Sequence, residues 1–358
     1  MAADFDGDGF DDLAVGVPNE TVAGVFHAGA VHVIYGSPAG LSATDTQFIH
    51  QNSTGISDSA EESDQFGLSL AAADFGNGVR ADLAIGVPRE NVGGVSDAGA
   101  VHVVYGSASG LGALGDQLRV QSSGSGGGLV EANDHFGWSL AAANFGNGSQ
   151  ADLAVGVPGE DVGAIGNAGA VNVVYGASGG LTATGAEFRT QDAASGGGGV
   201  EAGDDFGVSL AAANFGKGTQ ADLAVGVLFE DLGGALDAGA VNVIYGSSSG
   251  LTESGNQFWH QALPLEPPGT ALPDPTEPDD QFGWWLAAAN FGNGAQADLA
   301  VGVPLENVGG TRDAGAVDVI FGSATGLTVA LSVHRVQNAA SGGGGVAADD
   351  EFGFALAF

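Results

Sequence analysis

Nine residues near the N-terminus carry the clearest chemistry of the chain. The run Asp4-Phe5-Asp6-Gly7-Asp8-Gly9-Phe10-Asp11-Asp12 places carboxylates at relative positions 1, 3, 5 and 9. A hard cation such as calcium takes about six to eight oxygen ligands. Gly9 stands at position 6, where a sharp turn is needed, and Phe10 can lend its backbone carbonyl at position 7. An EF-hand would require a bidentate glutamate at position 12, and that position is Val15. The spacing predicts a calcium site with Asp4, Asp6, Asp8, Asp12 and the Phe10 carbonyl as ligands.

Four later stretches align with this loop and have lost most of its carboxylates. The second runs from Asp74 to Asp82 with Gly76 and Gly78 at the ligand positions. The others pair Asn144 with Asp152, Asn214 with Asp222 and Asn290 with Asp298, and Lys217 sits inside one of them. These read as turns in which Gly and Asn supply the backbone geometry and the aspartate accepts loop amides. One calcium ion is expected, not five.

The alignment of these loops reflects a repeat that covers the whole chain. Phe-Gly recurs at Phe66-Gly67, Phe136-Gly137, Phe206-Gly207, Phe282-Gly283 and Phe352-Gly353, at steps of 70, 70, 76 and 70 residues. Glutamines 51, 121, 191, 261 and 337 mark one equivalent place in each copy. Within a copy, short β-type runs alternate with Gly-rich turns. The third copy predicts strands at 136–144, 151–157, 170–175 and 187–191. Four short antiparallel strands per unit, repeated radially, describe a β-propeller, whose neighbouring blades cover one another. The last residues, Phe352 to Ala357, begin a first strand, and Ala2-Ala3-Asp4-Phe5 ends one. The expectation is a single all-β domain over 1–358, a five-bladed β-propeller. Its repeats are 66–135, 136–205, 206–281, 282–351, and 352–358 joined with 1–65, which close the ring and remove an open sheet edge.

Phe-Gly at the start of a strand, followed by Asp-Leu-Ala-Val-Gly-Val-Pro, resembles the FG-GAP repeat of integrin α-subunit propellers and their bacterial relatives. The resemblance spans essentially the whole chain. It implies four-stranded blades, calcium loops joining the first two strands on one face, and ligand contacts from loops on the other face. Integrin propellers carry more blades than the five counted here.

Composition narrows the partners. The 358 residues hold 43 Asp+Glu against 7 Lys+Arg, a formal net charge of −36, with 44% hydrophobic residues and 65 glycines. Nucleic acid is disfavoured because phosphate contacts need Lys and Arg, and an anionic membrane surface would repel the chain. The absence of cysteine excludes disulfides, thiolate metal sites and a cysteine nucleophile. No run approaches the ~20 apolar residues of a membrane span.

Two further acidic positions recur. A glutamate follows each second strand (Glu20, Glu90, Glu160, Glu230, Glu306), and an aspartate stands two residues before each Phe-Gly (Asp64, Asp134, Asp204, Asp280, Asp350). Both lie at the opposite end of the blade from the calcium loop. Two readings stay open: caps for loop amides, or a possible binding face for divalent ions and basic partners. The insert from Leu263 to Asp279, with prolines at 264, 267, 268, 273, 275 and 278, is either a specific contact or a tolerated insertion.

Signs of catalysis are sparse. Gly176-Ala177-Ser178-Gly179-Gly180 fits G-x-S-x-G, yet no helix follows as a nucleophile elbow requires. His32 and His102 share a third-strand slot filled elsewhere by Asn172, Asn242 and Asp318, which reads as surface filler. Trp284-Trp285 reads as packing or channel lining, or as a sugar platform. The sequence therefore suggests a non-enzymatic, calcium-binding adhesion or protein-interaction module, extracellular or at the cell surface. The alternative is a carbohydrate-binding or hydrolase-associated propeller.

Overall fold

The computed structural model describes residues 1–42, 44–192, 195–261, 275–338 and 344–356. The fold is all-β. Apart from a single turn of 3-10 helix at Ser123–Ser125, its regular elements are strands among the described residues. The first antiparallel sheet is built in chain order from β1 (Ala2–Ala3), β2 (Asp12–Val17), β3 (Ala30–Ile34) and β4 (Thr46–Ile49). The second takes β5 (Leu70–Ala73), β6 (Asp82–Val87), β7 (Ala100–Ser107) and β8 (Gly110–Arg119). The third takes β9 (Leu140–Ala143), β10 (Asp152–Val157), β11 (Ala170–Ala177) and β12 (Gly180–Arg189). The fourth takes β13 (Leu210–Ala213), β14 (Asp222–Val227) and β15 (Ala240–Ile244). After a small ladder of β16 (Gly246–Ser247) with β17 (Gly250–Leu251), it is completed by β18 (Gln257–Trp259). The fifth takes β19 (Leu286–Ala289), β20 (Asp298–Val303), β21 (Ala316–Phe321) and β22 (Thr328–Val336).

These sheets fall into two compact units. One comprises Met1–Asn144, Gly148–Asp161 and Ala170–Arg189, with the first three sheets; the other comprises Phe145–Asn147, Val162–Gly169 and Thr190–Phe358, with the last two.

The Phe-Gly signature is a plug rather than the start of a strand. Phe136 is fully buried and its amide donates to Ala98 O at 2.9 Å. Gly137 turns the chain at φ +93°, and β9 begins only at Leu140. The first strand is thus shorter than the expected 136–144, because the phenylalanine is spent on anchoring the preceding loop. The fourth strand is longer than the expected 187–191, because β12 pairs with β11 all the way to the Ala177↔Gly180 turn.

An aspartate at the head of each second strand ties three strand ends together. Asp82 accepts the Phe75 amide at 2.9 Å and the Gly106 amide at 3.0 Å. Asp222 does the same for Phe215 and Gly246, and Asp298 for Phe291 and Gly322. Hydrogen bonds to a charged group contribute about 1.5–3 kcal/mol each, so this position holds every repeat closed.

No repeat buries its second strand alone. In the first unit, Leu83, Ile85 and Val87 of β6 lie against Phe5, Ala14, Val31, Val33 and Tyr35 of the repeat before. Leu153, Val155 and Val157 of β10 lie likewise against Phe75, Val101 and Tyr105. In the second unit, Leu299, Val301 and Val303 of β20 pack on Phe215, Val241 and Tyr245. β6 also approaches the repeat that follows closely enough to require glycine: a Cβ on Gly86 would stand 2.2 Å from Gly137 O.

Of the closing strand expected from Phe352 to Ala357, residues 352–356 are described, and among them no strand forms. Phe352 docks as its counterparts do, donating its amide to Ala314 O at 3.1 Å, and the chain through Leu356 is turn and coil. Each first strand elsewhere is held by a second strand of its own repeat, as Leu70↔Ile85 holds β5. In the first sheet the two residues of β1 pair with β2.

Candidate metal centre

The β1–β2 loop gathers Asp4, Asp6 and Asp8, each with one carboxylate oxygen within 4.8 Å of the others. The loop orients them by its own amides. Asp4 accepts Gly7 N at 2.6 Å and Gly9 N at 3.0 Å, Asp6 accepts Asp8 N at 3.0 Å, and Asp8 accepts Phe10 N at 2.9 Å. Gly7 and Gly9 make this possible by taking φ values of +77° and +93°. Arg80 from the β5–β6 turn braces the loop, its Nε donating to Asp6 O at 2.7 Å. Three converging carboxylates in an oxygen-lined turn are a donor set that suits a hard divalent cation.

Asp12 plays a different part from the one its spacing suggests. It is buried, and its two oxygens accept Phe5 N at 2.7 Å and Gly36 N at 2.8 Å, as Asp82 does in the next repeat. Burial pushes its pKa up, the Gly36 and Phe5 amides pull it down, and the charges of Asp6 and Asp4 raise it again. Asp12 therefore fixes the loop ends and feels the cluster electrostatically.

The later loops are the self-bonded turns that their composition suggests. Asn214 accepts Gly216 N at 3.0 Å and donates to Gly218 O at 3.1 Å, and Asn290 repeats the pattern. Lys217 lies 4.0 Å from the centre of the Tyr245 ring.

The ten recurring carboxylates do not make an open acidic face. Glu90, Glu160, Glu230 and Glu306 are buried, as are Asp64, Asp134, Asp204 and Asp280; Glu20 is half-buried and Asp350 exposed. Each aspartate caps a loop amide three residues earlier: Asp64 accepts from Glu61, Asp134 from Glu131, Asp204 from Glu201, Asp280 from Glu277 and Asp350 from Ala347. The glutamates are held from the side by the repeat glutamines: Gln51 donates to Glu90, Gln121 to Glu160, Gln191 to Glu230 and Gln261 to Glu306. Burial is the main reason that Glu90 is pushed up to about 8, Glu160 and Glu230 to about 7, and Asp64, Asp134 and Asp204 to about 6. In two copies the carboxylates also crowd one another, with Glu131, Asp134 and Glu160, and Glu277, Asp280 and Glu306, each within 4.8 Å.

The third-strand slot is likewise interior. His102 is fully buried with its Nδ1 2.5 Å from Asp116 Oδ2, and Asn172 donates to Ser125 O at 2.8 Å and Gly127 O at 3.0 Å. His32 alone of the five is exposed. The reading as surface filler fails because four of the five are buried, and at Asn172 and Asn242 the loop after the preceding fourth strand covers the slot. Trp284 stacks on Phe354 at 5.3 Å between ring centres. Gly176 to Gly180 forms the turn from β11 to β12, where Ser178 O accepts Asn77 N at 3.1 Å. Most of the proline-rich insert lies outside the described residues.

The loop of aspartates between the first two strands lies within residues 1–34, which match the family model of the FG-GAP repeat. The chain is also similar, over part of its length, to phosphatidylinositol-glycan-specific phospholipase D. The Bos taurus protein is 33% identical over 157 residues, which is 44% of this chain and 18% of that protein. The Rattus norvegicus and Homo sapiens proteins are each 32% identical over 157 residues, with the same coverage. The matched stretch is thus under a fifth of the length of these relatives. The expectation of a non-enzymatic chain is corrected here, since relatives matched over 44% of this chain are named as phospholipase D, an enzyme.

No helix among the described residues is long and apolar enough to cross a membrane.

Proposed function

We propose that this chain is the calcium-binding FG-GAP propeller module of a phospholipase D-like hydrolase directed at glycosylated phosphatidylinositol. The observation that carries this reading is the 33% identity over 157 residues to an enzyme named for that substrate. The sheets are successive blades of one propeller domain, with the repeats of 66–135, 136–205, 206–281 and 282–351 following the N-terminal one. Calcium is held in the β1–β2 loop by Asp4, Asp6 and Asp8, with the Phe10 carbonyl at the ligand position that its place in the loop implies. Asp12 closes the loop from behind.

Charge supports a role for the ion beyond stability. A chain with a formal net charge of −36 repels a phosphodiester headgroup. A divalent cation in an exposed turn lowers that barrier locally. Such a module works outside the cell or at its surface, where calcium is abundant. The FG-GAP repeat at residues 1–34 carries a second reading, an adhesion or protein-interaction module for basic surfaces.

The test is cosedimentation of the chain with vesicles of phosphatidylcholine, with and without added glycosylphosphatidylinositol, in calcium and in chelator. Binding that needs both the glycolipid and calcium is the expected result. Failure to bind the glycolipid at any calcium level overturns the reading, and binding of a basic peptide instead favours the second.

A further inference from the structure

The β5–β6 turn of the second repeat closes on the β1–β2 loop through two adjacent residues. Ala81 N donates to Asp4 O at 3.2 Å, and Arg80 Nε donates to Asp6 O at 2.7 Å. The guanidinium lies over Gly7, where a Cβ would stand 2.5 Å from Nε and 3.1 Å from Cζ. The alanine contact recurs elsewhere: Ala151 N donates to Asp74 O and Ala297 N to Asn214 O, each at 2.9 Å. The arginine does not recur. Its counterparts are Gln150, Gln220 and Gln296. Through Ala151 and Ala297, two of these glutamines adjoin loops that carry Gly76 and Gly78, or Gly216 and Gly218, in place of Asp6 and Asp8.

Arginine and glutamine both carry N–H donors, so what distinguishes Arg80 from its counterparts is charge. Asp4, Asp6, Asp8, Asp11 and Asp12 put five carboxylates into nine residues. Oxygens of Asp4, Asp6 and Asp8 lie within 4.8 Å of one another, and like charges at that spacing repel. Gly7 and Gly9, at φ +77° and +93°, leave the loop free to open under that repulsion. The chain has 7 Lys+Arg against 43 Asp+Glu, and one of the seven stands against this loop. A guanidinium there offsets part of the repulsion while the site is empty. The same charge repels a divalent ion that enters.

We propose that Arg80 is a tethered counter-cation of the calcium loop, which holds the empty loop together and raises the calcium concentration at which the site fills. The proposal rests on the reading of Asp4, Asp6 and Asp8 as calcium ligands. Its consequence is a site that fills in calcium-rich surroundings, with its threshold set by a residue of the neighbouring repeat.

Calorimetric titration of the full chain with calcium, in about 0.1 M and about 1 M potassium chloride, reads the affinity under weak and strong screening. Arg80→Gln installs the residue of the later repeats, which keeps a donor and removes the charge. It should bind calcium about fivefold more tightly than the parent at the lower salt, where the Debye length is about 10 Å. At the higher salt, where that length is about 3 Å, the two should agree within about twofold. In chelator, Arg80→Gln should melt below the parent. Arg80→Lys keeps the charge and should match the parent in affinity. An Arg80→Gln chain with unchanged affinity overturns the proposal. Weaker binding at both salt concentrations also does so, and makes Arg80 a brace alone. So does Arg80→Lys binding as tightly as Arg80→Gln, since charge would then not set the affinity. A parent that takes up no calcium at either salt is a separate result: it overturns the calcium reading itself, and the proposal with it.

Discussion

Gln51 and Glu90, 39 residues apart, meet in the interior of the first unit, where the Gln51 amide donates to the Glu90 carboxyl. Both are buried, and the pairing recurs as Gln121 with Glu160, Gln191 with Glu230 and Gln261 with Glu306. A neutral amide can hold a neutral carboxyl at little cost, whereas it cannot neutralise a buried carboxylate.

Stability should therefore fall as pH rises toward neutrality. Glu90 keeps its proton in the fold up to about 8, while an unfolded glutamate loses it near ~4.3. Between those values the unfolded chain binds fewer protons, so stability is full below the unfolded pKa and declines until pH passes the folded one. Each such group withdraws up to about 1.4 kcal/mol per pH unit inside its window. Glu160 and Glu230, raised to about 7, close their windows earlier. Thermal melts from pH 5 to pH 8 in Glu90→Gln, which keeps a neutral head of the same shape, should show a shallower slope than the parent. An unchanged slope would mean that Glu90 is ionised in the fold.

Calcium should stabilise the chain through the β1–β2 loop alone. At a free concentration one hundred times the dissociation constant, a single site adds about 2.7 kcal/mol. Asp8→Ala removes one of three converging carboxylates and should abolish the difference in melting temperature between calcium and chelator. Asp74→Ala, in the loop whose neighbours are Gly76 and Gly78, should leave that difference intact. Several equivalent sites by calorimetric titration would contradict the single loop.

Asp82 should be the costliest surface-distant carboxylate to lose. Its oxygens accept the Phe75 and Gly106 amides, and its pKa is pushed up to about 7, chiefly by burial. Asp82→Ala strands two buried donors and should cost roughly 2–5 kcal/mol. Asp82→Asn keeps one acceptor and should cost less. Denaturant midpoints for the pair decide the matter, and equal losses would point to packing instead of hydrogen bonding.

Gly86→Ala should damage the fold far more than Gly93→Ala. At Gly86 the new methyl meets Gly137 O at 2.2 Å and Ser69 Oγ at 2.1 Å. Gly93 has open space and only the penalty of φ +62°. The first should cost roughly 3 kcal/mol or more, the second about 1 kcal/mol. Soluble yield and melting temperature rank them, and comparable values would show that the second strand can retreat from the neighbouring Phe-Gly turn.

Asn172→Ala removes donors to two carbonyls in the loop after β8. The loop should loosen while the sheet persists, seen as faster amide exchange at residues 122–128 at little cost in melting temperature.

Period and local chemistry were legible in the chain itself. The Phe-Gly steps locate every repeat, and the alternation in Ala170 to Tyr175 marks β11. The spacing of Asp4, Asp6 and Asp8 marks a loop whose carboxylates converge. These are short-range properties, because strand pairing within a repeat and turn geometry depend on residues at most some tens of positions apart. What the chain alone left undecided is which acidic residues face water. Glu90 and Asp64 look like surface charge in a chain of net charge −36, yet both are buried, and only tertiary packing brings Gln51 against Glu90. Asp12 matches a ligand position by spacing, yet folding spends both its oxygens on Phe5 and Gly36. His102 is interior and His32 exposed, although both occupy the same slot, because burial there is set by the neighbouring repeat. Sequence determined the repeat and its loop; burial, decided by distant segments, determined the role of carboxylates such as Glu90.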